Sequence, residues 1–125
     1  MTPRLRLAWA SEMSNGRNAR AQGDLVAAFA HFERAHILGQ CFTLPHVRAH
    51  LAMLAIGWQQ RDSAEVRGQI VRIVAAALFT RIWIPVGNTG GANVSALKPM
   101  PLPPDLRALV ESEMAQRATR RRTRR

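Results

Sequence analysis

The most constraining feature of this sequence is a set of short breaks that divide its first part into four segments of helical length. Asp24 and Asp62 each stand where a helix N-cap is expected, and Glu65 is placed to complete a capping box with Asp62. Gly39 is typical of a helix end, and Pro45 is typical of a first helical turn. We therefore predict helices over residues 3–21, 25–38, 43–60 and 63–84.

The pattern of apolar residues predicts how these helices pair. The second segment carries an apolar stripe at helical spacing, formed by Leu25, Ala28, Phe29, Phe32 and Ala35. The connections are short, so consecutive helices should be antiparallel neighbours. Tyr is absent and there are only 4 Phe and 3 Trp, so the core must be mostly aliphatic. We predict an all-α fold, a compact bundle of two antiparallel helical hairpins.

Residues 84–106 have a different composition, with clustered glycines and prolines that exclude a regular helix. The segment is nevertheless too apolar for a free linker. We predict an ordered Gly/Pro strap across the bundle, packed through Val86, Val94, Leu97 and Met100. A short C-terminal helix should follow over residues 106–117.

Charge distinguishes the C-terminus from the rest of the chain. Six arginines beyond position 116 account for more than half of the formal net charge of +10. Dense like charge without an apolar stripe predicts disorder. The 125 residues are therefore interpreted as a single helical domain, 1–116, and a disordered basic tail, 117–125. Such a tail favours weak, non-specific contact with nucleic acid or acidic partners.

Cysteine usage and hydropathy bear on the compartment. Cys41 is the single cysteine, so no intrachain disulfide can form, which favours a reducing compartment. The N-terminus shows no signal-peptide pattern, and the most apolar stretch, residues 70–86, is interrupted by Arg72 and Arg81. We expect a cytoplasmic protein without membrane association.

All 4 histidines lie between positions 31 and 50. Glu33 and His36 form an E-x-x-H pair, and His46 and His50 form an H-x-x-x-H pair, so each pair shares a helix face. Folding the chain about position 43 brings His36 opposite His50 at one end of the hairpin. His31 lies about 140° around the helix from His36 and is left out of the cluster.

Imidazole and carboxylate ligands suit Zn²⁺, Cu²⁺, Ni²⁺ or Fe²⁺, but not Ca²⁺ or Mg²⁺. The predicted metal ligands are Glu33, His36, His46 and His50, with Zn or Fe as the preferred transition-metal ion and Cys41 as a candidate soft ligand. The alternative is a purely structural role. In that case His36 is a half-buried side chain whose hydrogen bonds are satisfied within the protein, and His46 merely occupies the start of a helix. Each pattern alone is weak; their pairing across a short hairpin favours the metal site.

The loop over residues 87–93 is rich in glycine and asparagine, so it could cradle an anion or form a specific turn. It lacks the residues of a P-loop and of a dinucleotide site, which favours the turn. No nucleophile elbow or orienting third group for a catalytic dyad is recognisable. Enzymatic activity is therefore left open.

Several motifs resemble a known family. The fragments ERAHILGQ, HVRAH, GW, PVGNTGGANVS and PMPLPPDL, in this order, resemble a bacterial family called domain of unknown function 3703, over about residues 25–109. Members often sit near heavy-metal resistance genes, so the resemblance implies a metal-related role. The fragment GDLVAAFAHFERAHIL also resembles the second helix of a tetratricopeptide repeat, with Ala28 and Ala35 at its small-residue positions, which implies tetratricopeptide-like packing.

Two functions follow from these patterns. The first is a small intracellular metal-binding protein, accessory to heavy-metal tolerance, with a metal-dependent enzyme as a special case. The second is a non-catalytic helical interaction module that binds a protein partner, or whose arginine-rich tail contacts nucleic acid. Metal analysis of untagged protein separates the two.

Overall fold

The computed structural model describes residues 1–123, and no β-strand is present within that range. It contains the helices α1 (Pro3–Ala21), α2 (Leu25–Gly39), α3 (Thr43–Gln60), α4 (Ser63–Phe79) and α5 (Pro104–Arg122). α1 packs on α2 and α3 packs on α4 as two hairpins, and α2 also packs on α3. The predicted all-α class, the hairpins and the C-terminal helix are confirmed.

Local hydrogen bonds explain most helix starts. Asp24 accepts from the Ala27 amide at 2.9 Å, and Asp62 accepts from the Ala64 and Glu65 amides at 3.0 Å. The expected capping box does not close, because the Glu65 carboxylate accepts from the Ala92 amide of the strap instead, at 2.9 Å. One helix end also differs from the prediction. α4 ends at Phe79, five residues before the predicted end, and two turns follow it.

The core has two parts. One joins the first hairpin to α3, and its buried side chains are Met13, Ala28, Phe32, Ala35, Met53 and Ile56. The other ties α5 to the ends of α1 and α2, and its buried side chains are Leu5, Ile37, Leu38, Leu106 and Val110. Gly16 of α1 permits the close approach to α2, since a Cβ there would lie 2.4 Å from the Phe32 ring. Helices α2 and α3, which carry the clustered histidines, thus pack together with α1, and the end of α2 also packs on α5.

The strap is ordered by its own hydrogen bonds. The Met100 amide donates to Val86 O at 3.1 Å and closes the loop at its base. The buried Asn88 amide group donates to Ser95 O and Lys98 O, at 2.7 and 2.8 Å. Val86, Val94 and Met100 are half-buried, as predicted. Leu97 is 71 % exposed, so its predicted packing on the bundle is wrong.

α5 is longer than predicted and runs to Arg122, into the segment expected to be disordered. Arg is a good helix former, and no helix breaker separates residue 117 from residue 122. Arg117 lies over the Phe42 ring, 4.8 Å from its centroid. Arg124 and Arg125, also assigned to the tail, lie outside the described residues. Within residues 1–123, no helix is long and apolar enough to cross a membrane.

Candidate metal centre

Three of the histidines meet inside the protein, as the hairpin geometry predicted. His36 lies in the last turn of α2, and His46 and His50 lie in the first two turns of α3. Their ring centroids are 4.6 to 4.9 Å apart, and their exposed fractions are 3, 7 and 2 %. Each of the three side chains offers one potential ligand atom, and these atoms all lie within 4.8 Å of one another. Among residues 1–123, no other group of three or more His, Cys, Asp or Glu side chains is this compact.

Each of these histidines uses Nδ1 for a hydrogen bond directed away from the other two. The His36 Nδ1 bonds the backbone carbonyl of Asn88 at 2.9 Å. The His46 Nδ1 bonds the hydroxyl of Thr80 at 2.7 Å, and the His50 Nδ1 bonds Gln69 Oε1 at 2.7 Å. The partners come from α4, the residue that follows it, and the strap, so the second half of the chain orients all three rings.

The partners of the Nδ1 atoms act as acceptors, which determines where the ring protons are. The carbonyl oxygen of Asn88 can only accept. The Thr80 hydroxyl gives its proton to the Ala76 carbonyl, and the Gln69 amide nitrogen donates to Glu65 Oε1 and to Gly90 O. Each Nδ1 therefore carries the proton, and each Nε2 presents a bare lone pair.

The Nε2 atoms of His46 and His50 are 3.2 Å apart. Two bare lone pairs at this distance repel each other, because neither nitrogen has a proton to donate. Two nitrogens bound to one tetrahedral Zn²⁺ at 2.0–2.1 Å lie about 3.3 Å apart. The separation observed for this pair is close to that value.

The electrostatics keep the imidazoles neutral, as metal ligation requires. Burial, then the neighbouring His50 and His46, lower the pKa of His36 well below its ordinary value. Burial and His50 lower the pKa of His46 to about 3. Burial lowers the pKa of His50 to about 4, against the opposing effect of its hydrogen bond to Gln69. All three are uncharged at neutral pH.

The loop over residues 87–93 supports His36 from the outside. Gly90 has a φ of +87°, and a Cβ on it would lie 2.9 Å from the His36 ring. Asn88 Oδ1 accepts from the Gly90 amide at 2.9 Å, which fixes the turn. These contacts are those of a specific turn, in which glycine supplies both the left-handed backbone and the clearance.

The structure does not bring Glu33 into the compact group of three histidines. Its half-buried carboxylate faces the loop, where a Cβ on Gly91 would lie 3.1 Å from Glu33 Oε1. Burial raises the pKa of Glu33, the Thr89 hydroxyl lowers it, and the negative charge of Glu65 raises it further. Glu33 thus lies beside the turn that contacts His36, and it does not belong to the group formed by the three imidazoles.

The remaining candidates lie elsewhere. Cys41 is half-buried and lines a separate cavity with Arg81, Met114 and Arg117. His31, excluded from the cluster by its position around the helix, bonds Glu12 at 2.7 Å. That carboxylate also accepts from the Arg34 guanidinium, at 2.8 Å.

Sequence reasoning missed the residues that orient the rings, namely Gln69, Thr80 and Asn88, and also missed Arg72 at the edge of the centre. One signal was available. Gln69 and Thr80 are three helical turns apart, so they fall on the same side of the fourth helical segment, and Arg72 is the one other polar residue between them. Asn88 and Arg72 gave no comparable signal, because their roles depend on the path of the strap.

A family model described as "Protein of unknown function (DUF3703)" matches residues 3–110. No curated protein and no solved structure matches the chain. The family match spans all three histidines and the loop that supports them, and it carries no activity.

Proposed function

The chain belongs to the DUF3703 family, whose function is unknown, and we propose from the geometry of its centre that it binds a transition-metal ion through Nε2 of His36, His46 and His50. The observation that carries this proposal is the hydrogen bonding of the three Nδ1 atoms. Three buried lone pairs this close together are unfavourable without a cation, and they are the donor set of a three-histidine metal site.

Zn²⁺ is the ion that this donor set fits best. Three neutral imidazoles leave one tetrahedral position for water or another ligand, as in catalytic zinc sites. Fe²⁺ in the common non-haem arrangement uses two histidines and a carboxylate, and no carboxylate belongs to the compact group within residues 1–123. We assign Glu33 to the support of the loop, beyond the direct ligands.

At the level of the cell, we propose a metal-binding protein of the cytoplasm that is accessory to the handling of metals. The buried imidazoles of His46 and His50 stay uncharged down to well below neutral pH, because their pKa values are about 3 and 4. The free, half-buried Cys41 agrees with a reducing compartment.

The test is metal analysis of untagged protein, followed by titration of the metal-free protein with Zn²⁺. We expect one equivalent to bind, and His36→Ala and His50→Ala to lower the affinity at least tenfold. Zn²⁺ at 100 times its Kd should stabilise the folded protein by about 2.7 kcal/mol, which raises Tm by about 10 °C for a chain of this length.

His31→Ala is the matched control, because His31 bonds Glu12 outside the centre. Circular dichroism of each metal-free variant verifies that it folds, so that a lost affinity reports the lost ligand. The proposal fails if folded wild-type protein binds Zn²⁺ no more tightly than folded His50→Ala.

A further inference from the structure

A cavity of about 230 Å³ borders the three imidazoles, and its other walls are mostly apolar. The apolar side chains come from the end of α4, the turns that follow it and the strap, and they include Phe79, Ile82, Trp83, Pro85 and Leu97. A cavity of about 150 Å³ is enough to hold benzene. The space beside the histidines therefore suits an organic molecule of this size or somewhat larger.

The cavity is open to solvent along an apolar rim. Ile82 is 79 % exposed and Leu97 is 71 % exposed, while Phe79 and Trp83 are about half exposed. Contiguous exposed apolar side chains are a feature of ligand-binding grooves. Their position gives a ligand a path from solvent to the imidazoles, and explains why Leu97 does not pack on the bundle.

Arg72 gives the wall of this cavity a positive charge. Its guanidinium donates to Gly68 O at 3.3 Å and to Val94 O at 2.6 Å, while its buried Nε has no hydrogen-bond partner among the described residues. No carboxylate within residues 1–123 lies within the 4.0 Å of an ion pair with it. Its charge also reaches the centre, where it contributes to lowering the pKa values of His36 and His50.

A divalent ion on three neutral imidazoles adds two further positive charges beside Arg72. The nearest carboxylate on α4, Glu65, is engaged by Gln69 and by the Ala92 amide. Buried charge of one sign is stabilised by a counter-charge. Glu65 acts on Arg72 electrostatically, but within residues 1–123 no carboxylate belongs to the three-histidine group, so the fourth coordination position is open to an anionic ligand.

We propose that this cavity binds a small organic carboxylate with an apolar body. This inference rests on the proposed metal site, since one carboxylate oxygen would take the fourth coordination position. Arg72 would balance its charge from the cavity wall, and the hydrocarbon body would lie against Phe79, Ile82, Trp83 and Leu97. An inorganic anion would satisfy the charge but leave the apolar walls uncovered.

The experiment uses the full chain loaded with Co²⁺, whose visible absorption reports both metal binding and a change of the fourth ligand. Acetate, butyrate and hexanoate are titrated in turn. Each added methylene that enters the cavity should tighten binding about three- to fourfold, so butyrate should bind roughly tenfold more tightly than acetate. Hexanamide, which lacks the charge, should bind at least tenfold more weakly than hexanoate.

Variants separate the two parts of the site. Ile82→Ser should reduce the gain per methylene, whereas Ile70→Ser, a matched exposed position on α4 outside the cavity, should not. Arg72→Gln should weaken hexanoate at least tenfold while Co²⁺ binding persists. Arg72→Lys, which keeps the charge, should restore most of the affinity and thus exclude a purely structural effect.

The outcomes distinguish this inference from the proposed function. Normal Co²⁺ binding with equal affinities for acetate, hexanoate and hexanamide would overturn the carboxylate site and leave the metal centre standing. Failure of the folded wild-type protein to bind Co²⁺ would overturn both.

Discussion

Gln69 is the central residue of the hydrogen-bond network around the histidines, and the substitution Gln69→Leu tests that network best. Gln69 is fully buried. Its Oε1 accepts from His50 Nδ1, and its Nε2 donates to Glu65 Oε1 at 2.6 Å and to Gly90 O at 2.9 Å. Leucine has a similar volume, so the substitution removes the hydrogen bonds and leaves little cavity.

The expected cost follows from the groups left behind. His50 Nδ1–H and the Gly90 carbonyl both lose their partner inside the protein, and each unsatisfied buried group costs about 1–3 kcal/mol. Glu65 is only half-buried, so water can replace its lost donor. The free energy of unfolding should fall by about 2–6 kcal/mol, and Tm by roughly 8–23 °C for a chain of 125 residues. Zn²⁺ affinity should fall about 10- to 100-fold, because His50 loses the partner that fixes its tautomer.

Thermal unfolding of the metal-free protein and Zn²⁺ titration measure the two effects. Gln59→Leu is the control, since Gln59 is an exposed residue of α3 whose side chain accepts a solvent-exposed hydrogen bond from Arg20. It should change stability by no more than about 0.5 kcal/mol. The reasoning is refuted if Gln69→Leu melts as Gln59→Leu does and binds Zn²⁺ as the wild type does.

Three further predictions test other parts of the account. Gly90→Ala should cost about 1–2 kcal/mol for its left-handed backbone, and more for the contact with His36; an unchanged denaturation midpoint would contradict this. The metal-free protein should lose stability as the pH falls from about 6.5 toward 4, because the unfolded chain then binds protons that folded His46 and His50, with pKa values of about 3 and 4, do not. The slope should approach about 1.4 kcal/mol per histidine and pH unit, and thermal melts that are flat over this range would be incompatible with neutral buried imidazoles. Deleting residues 118–125 removes five arginines and, among the described positions, no buried side chain. The deletion should therefore leave Tm nearly unchanged, while it weakens DNA binding and the salt dependence of that binding. A large loss of Tm would show that the tail belongs to the folded domain.

Local signals made much of this fold predictable. Asp24 and Asp62 are N-caps whose side chains bond the next turn, so they mark helix starts without knowledge of the rest of the chain. The approach of His36 to His46 and His50 followed from the short α2–α3 connection, because an antiparallel hairpin leaves little choice about which residues face each other. The three-histidine group was therefore within reach of sequence reasoning.

Other features depend on contacts that the sequence does not encode locally. Glu33 shares a helix face with His36, but its carboxylate faces the strap, whose path no local pattern reveals. Leu97 is apolar yet exposed, and it lies at the rim of the cavity beside the histidines. Thr80 and Asn88 become partners of histidines only once α4 and the strap are docked, at separations of 34 and 52 residues.

The central claim is that Nε2 atoms of three buried histidines form one metal site, and X-ray absorption spectroscopy of the zinc-loaded, untagged protein tests it most directly. The account predicts a shell at about 2.0–2.1 Å, with the multiple-scattering signature of about three imidazoles and one lighter oxygen or nitrogen ligand. His36→Ala should lose one imidazole from that shell, and His31→Ala should lose none. A sulfur shell at about 2.3 Å, which would implicate Cys41, or an oxygen-only shell without imidazole scattering would contradict the account.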